Sequence, residues 1–241
     1  MLTVLMVSLL SIISLESCDP GPDEVRQDKI DSHYVFTASN NYLYVISNDK
    51  LDTYTLEQGV IKLSTDSLGA YGGEAVFSQN NTLVIGSSGS SIYDISHPGQ
   101  LNFVSGYSDL LPCDEFVIKD HYVFASLRIR DDCHPAGTDA LRIIDISSTT
   151  SLMNSISIDT PYGLSIDGDV LFLCGGLNGL SVFDVHDPLN VILIKHYNEI
   201  KGEYSNAAAG LLLVTNDSFI EQYDYSDINN LKLLSKIPVQ R

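Results

Sequence analysis

The sequence holds no tryptophan, only four cysteines, and 13 lysines and arginines against 31 aspartates and glutamates, for a formal charge of −18. Each shortage removes a class of function. A chain this acidic repels a polyanionic backbone over most of its surface, which argues against nucleic acid as a partner. Without tryptophan, carbohydrate recognition would have to rest on tyrosine and aspartate alone. No HExxH, Walker A, GxSxG or CxxC pattern occurs and the six histidines are scattered, so no local motif marks a nucleophile with its base, a cofactor or a metal centre. No long amphipathic helical pattern follows the first 17 residues, which leaves helical solenoids as poor fits. The longest apolar stretch, residues 2–15, is short of the roughly 20 residues of a spanning helix and has the length of a signal-peptide core.

That stretch ends in Leu15-Glu16-Ser17-Cys18, which resembles a bacterial lipoprotein signal, in which a small residue precedes a cysteine that becomes the lipidated N-terminus. The resemblance implies a signal peptide over residues 1–17, a lipid anchor on Cys18 and an extracytoplasmic place in the bacterial cell envelope, on the outer membrane or cell surface. An ordinary secretory peptide or a buried first strand is the alternative. Asp19-Pro20-Gly21-Pro22-Asp23-Glu24 then opens a polar tether, residues 18–32, rich in Pro and Gly.

What fills the rest, residues 33–241, is one pattern written five times. The runs Leu43-Tyr44-Val45, Leu83-Val84-Ile85, Tyr122-Val123-Phe124, Val170-Leu171-Phe172 and Leu211-Leu212-Leu213 step by 40, 39, 48 and 41 residues, and are followed by Tyr54, Tyr93, Ile144, Phe183 and Tyr223. In the fourth copy, turns at Gly168-Asp169, Gly175-Gly176-Leu177-Asn178-Gly179 and His186-Asp187-Pro188-Leu189-Asn190 separate four short apolar runs. Four short antiparallel strands in about 40 residues make one propeller blade. Three consecutive apolar residues in each second strand call for burial on both faces, as between neighbouring blades. The expected fold is all-β, a five-bladed β-propeller whose blades share one continuous ring of interfaces. The absence of Trp-Asp and Gly-His pairs sets it apart from a typical WD40 set.

The segments Ile92-Tyr93-Asp94-Ile95-Ser96, Leu141-Arg142-Ile143-Ile144-Asp145-Ile146-Ser147 and Leu180-Ser181-Val182-Phe183-Asp184-Val185 resemble the LVIVD-repeat family, bacterial proteins expected to form β-propellers and often carried on lipoprotein signals. The resemblance implies a fold and an address and names no common activity.

Asp94, Asp145, Asp184 and Asp224 recur at one register and read as caps on backbone N–H groups before a turn, on separate blades. The third copy departs from the repeat: Asp94 to Asp145 is 51 residues where Asp145 to Asp184 is 39. The extra residues lie within residues 128–139, between the second and third strands of that blade. In a propeller that loop shares an end with the blade-to-blade connections. The expected binding face is therefore Tyr71, Asp114, Glu115, Arg128, Arg130, Tyr162, Glu203 and Tyr204. Arg128 and Arg130 would receive a carboxylate or phosphate there, or would pair with Asp131, Asp132 or Asp114. In an oxidising compartment Cys113 and Cys133 are the expected disulfide, with two free thiols as the alternative, and Cys174 reads as a buried filler. Asp131, Asp132, Cys133 and His134 make a poor metal site, because adjacent residues seldom all face inward. The function that follows is a lipid-anchored binding or scaffold module for a protein or other cell-surface ligand, with no catalytic residue, metal or cofactor assigned. A hydrolase or lyase built from Asp114, Glu115, Arg128 and Glu203 at the channel mouth, or a carbohydrate-binding surface protein, is the alternative.

Overall fold

The computed structural model describes residues 34–239 apart from 69–72, 88, 109, 112, 130–133, 135 and 148–150. The signal peptide, Cys18 and the tether expected from sequence lie outside the described residues. No helix of the described residues is long and apolar enough to cross a membrane.

The chain is an all-β, five-bladed propeller: five antiparallel sheets, each of four strands consecutive in sequence. Blade one is β1 (Tyr34–Ser39), β2 (Tyr42–Ser47), β3 (Lys50–Thr55) and β4 (Ile61–Ser67). Blade two is β5 (Ala75–Gln79), β6 (Thr82–Gly86), β7 (Ser90–Asp94) and β8 (Asn102–Tyr107). Blade three is β9 (Glu115–Lys119), β10 (Tyr122–Leu127), β11 (Ala140–Asp145) and β12 (Ser151–Ser157). Blade four is β13 (Leu164–Asp167), β14 (Val170–Cys174), β15 (Leu180–Asp184) and β16 (Ile192–Tyr197), and blade five is β17 (Tyr204–Ala208), β18 (Leu211–Thr215), β19 (Phe219–Asp224) and β20 (Lys232–Pro238). In every blade the pairing of third and fourth strands shifts register once, at the same place, so each outer strand bends away with the twist that a bulge imposes.

The turns explain where the first hairpin of each blade closes. Asn40, Asn41, Asn80, Asp120, Gly168, Ala209 and Gly210 all take positive φ, a region that Asn, Asp and Gly enter at least cost. At the other turn, Asp94, Asp145, Asp184 and Asp224 accept the backbone N–H two residues on, at 2.8, 2.8, 2.9 and 2.8 Å. They are the caps that their register indicated.

The core is divided among the blade interfaces. Because side chains alternate along a strand, each second strand offers one set to the blade before and one to the blade after. Tyr44 and Ile46 of blade one pack with Leu83 and Ile85 of blade two. Val84 packs with Val123 and Ala125, Phe124 with Leu171 and Leu173, and Phe172 and Cys174 with Leu212 and Val214. Polar pairs repeat along the inner strands, with Thr37 and Ser78 hydroxyls 2.9 Å apart and their equivalents Ser165 and Ser205 also 2.9 Å apart.

Four apolar cores join blades one to two, two to three, three to four and four to five; among the described residues none joins five to one. The second strands record the reason: β6, β10 and β14 are buried on both faces, while β2 and β18 are buried on alternate residues only.

Candidate functional site

The longer gap of the third copy falls between β10 and β11, as the repeat spacing indicates. It emerges at the end of the propeller where blade-to-blade connections run. There Cys113 and Glu115, Ser126 and Arg128, Pro161, Tyr162 and Gly163, and Tyr204 line a cavity of about 50 Å³. A water occupies roughly 10–15 Å³ by this measure, so the space suits a few waters or one small planar group and not a large substrate.

Arg128 is half-buried at the exit of β10, and its guanidinium carbon lies 3.9 Å from the centre of the Tyr162 ring. The ring face attracts the cation and fixes the plane of the fork. Among the described residues no carboxylate or carbonyl accepts its N–H groups. Tyr162 is held in turn by its own backbone, whose N–H donates to the Cys174 carbonyl at 2.8 Å. Its ring lies against Gly176, where a Cβ would stand 2.7 Å from the ring edge. Gly163 donates to the Glu203 carbonyl at 2.7 Å, and a Cβ there would come within 2.9 Å of that oxygen. Two glycines therefore let the connection between blades three and four lie directly on the backbones of blades four and five.

The base of the insertion is tied by Asp139, which accepts the N–H groups of Ile129 and Thr160. Asp114 is buried beneath it. Its carboxylate accepts the Leu111 N–H at 2.8 Å and meets His134 Nε2 at 2.9 Å. Burial nevertheless raises its pKa above the usual aspartate range, against those two bonds and the Arg142 charge. Cys113, Asp114 and His134 bring ligand atoms within 4.8 Å of one another. Cys113 has a partner of its own, and Asp114 and His134 bond to each other.

Of the eight residues expected on the binding face, the structure brings Glu115, Arg128, Tyr162 and Tyr204 to one cavity. Asp114 turns its carboxylate to Leu111 and His134 instead. Glu203 takes part through its backbone carbonyl. Tyr71 and Arg130 lie outside the described residues, as does Cys133 of the expected disulfide. Ser126, Pro161 and Gly163 were not among the expected residues: Ser126 ends a β-run with no local signal, while the Pro-Tyr-Gly string does mark a turn. Cys174 is fully buried, and burial pushes its thiol up to about 12, as a packing residue requires.

No family model matches this chain, and no curated protein matches it. Solved structures do, at low identity. A computationally designed protein, Ika8, is similar at a TM-score of 0.58 and 12% identity over 84% of this chain and 60% of its own. A functionally unknown protein from Desulfotomaculum acetoxidans DSM 771 is similar at 0.65 and 13%, over 86% and 70%. AztD from Citrobacter koseri, in its apo form, is similar at 0.57 and 13%, over 82% and 60%. These likenesses show the propeller fold alone, and the chain spans about 60% of the length of the first of them.

Proposed function

We propose that this chain is an LVIVD-type lipoprotein, anchored through Cys18 on the outside of the bacterial cell envelope, whose propeller is a binding module. It takes an anionic group of a protein or other surface ligand in the cavity of Arg128, Tyr162, Glu115 and Tyr204. One observation carries the reading: Arg128 is stacked on Tyr162 beside a small cavity, with none of its donors taken among the described residues. A guanidinium fixed in plane, with its fork free, matches a carboxylate or phosphate in two parallel hydrogen bonds. The alternative enzyme needs Asp114, Glu115, Arg128 and Glu203 to converge on one substrate. Of these, only Glu115 and Arg128 line the cavity.

A Cys113–Cys133 bridge belongs to the same reading, since it would fix the insertion beside the cavity. The one free thiol among the described residues is Cys174, and Cys113 is engaged. Cell-surface position and partner can be tested together with a photoreactive amino acid placed at Tyr204 and, as a control at the opposite end of blade five, at Asp227. In intact cells a discrete adduct from position 204 alone is the expected result. Adducts from both positions, or from neither, would reject the reading.

A further inference from the structure

The groups around the Arg128 cavity have few hydrogen atoms left to donate. The segment that walls it between blades three and four supplies no backbone donor. Pro161 has no N–H, the Tyr162 N–H is spent on the Cys174 carbonyl at 2.8 Å, and the Gly163 N–H on the Glu203 carbonyl at 2.7 Å. On the opposite side the buried Ser126 hydroxyl donates to the Glu115 carbonyl at 3.3 Å. Among the described residues of the lining Arg128 is the one cation, and Glu115 is the one acid beside it.

We propose that this cavity receives a carboxylate in preference to a phosphoryl group. The inference rests on the reading of Arg128 as an anion receptor and narrows it to one chemistry. A carboxylate has two oxygens in one plane, and two parallel N–H groups of a single guanidinium satisfy both. A phosphate monoester brings three acceptor oxygens and a charge of about −1.5 to −2. It calls for a cluster of backbone N–H groups or for further cations, as at a helix N-terminus or a nest. The wall of this cavity has already spent its backbone N–H groups within the fold. Glu115, in the same lining as the arginine, opposes a second negative charge. Space agrees with the count of donors. A cavity of about 50 Å³, at roughly 10–15 Å³ for each water, holds a flat two-oxygen group and leaves the body of its ligand outside. An acidic side chain and a chain terminus both present such a group, and at Arg128 their chemistry is the same.

The test titrates the purified full chain, isotope-labelled at arginine, with small blocked probes near neutral pH and at constant ionic strength. N-acetyl-diglycine stands for a chain terminus, N-acetyl-aspartyl amide for an acidic side chain and N-acetyl-phosphoseryl amide for a phosphate monoester. N-acetyl-asparaginyl amide is the uncharged control. The side-chain N–H signal that disappears in Arg128→Lys reports occupancy in the nuclear magnetic resonance spectrum of wild type. A carboxylate probe is expected to shift that signal to saturation, and the tighter of the two carboxylates names the source. The phosphoseryl probe should bind about tenfold or more weakly by comparison, the scale of one anionic oxygen left without a donor, and the asparaginyl control should leave the signal in place. Phosphoseryl binding as tight as that of the better carboxylate overturns the proposal and leaves the anion receptor standing. Silence of the Arg128 signal toward every anionic probe overturns both.

Discussion

The Asp139 carboxylate accepts the backbone N–H of Ile129 at 2.7 Å, across the base of the third-blade insertion. Its second oxygen accepts the Thr160 N–H at 3.0 Å. The two bonds reach the residue after Arg128 and the residue two before Tyr162, so one side chain sets the distance between the members of the stacked pair. Charge-assisted bonds of this kind contribute about 1.5–3 kcal/mol each. Asp139→Ala should therefore lower stability by about 2 kcal/mol or more in a denaturant titration, and should weaken ligand capture although Asp139 does not line the cavity. Unchanged capture by a folded Asp139→Ala protein would show that the insertion is positioned by other contacts.

Ala209 holds φ at +51° in the turn between β17 and β18. The equivalent turns in the other blades place Asn, Asp or Gly in that conformation, which costs an L-residue with a Cβ roughly 1–2 kcal/mol. Ala209→Gly should gain about 1 kcal/mol, net of the extra freedom it gives the unfolded chain. Calorimetry would register this as a rise of about 2–4 °C; a fall would mean that the Ala209 methyl group makes a contact worth more than the strain.

Adjacent leucines in β18 should differ sharply. Leu212 is fully buried against blade four, whereas Leu213 is partly buried and belongs to no apolar core among the described residues. Leu212→Ala should cost about 2–5 kcal/mol. Leu213→Ala should cost less than about 1 kcal/mol. Equal losses would indicate that blade five closes on blade one within the same chain.

Much of this was legible in the sequence because propeller physics is repetitive. Three apolar residues in a row at a step of about 40 gave the second strands, and Asp before a turn gave the caps, since both are local patterns with one physical use. The location of the insertion followed from the same spacing. The thinner burial of β2 and β18 was not legible, because Leu43, Val45 and Leu213 read the same as their buried equivalents: composition records which residues want burial and not how closely a neighbour packs. The surroundings of Asp114 were not legible for a related reason. Its carboxylate is surface-like in sequence, and only the fold brings His134, 20 residues on, and the Leu111 N–H to it. Glu203 acts through its backbone, which side-chain chemistry cannot foretell.

The central claim is that Arg128, seated over the Tyr162 ring, is a receptor for an anionic group and not a structural partner of nearby acids. The most direct measurement compares wild type with Arg128→Ala and Arg128→Lys, reading the melting temperature and the amount of cross-linked partner from position 204 side by side. A ligand-facing arginine predicts an Arg128→Ala protein that melts close to wild type, because a half-exposed side chain contributes little to folding. Its adduct yield should fall about tenfold or more, and lysine should recover only part of it, since a point charge cannot replace the planar fork. Melting that drops in step with adduct yield, or full adduct yield from Arg128→Ala, would contradict the account.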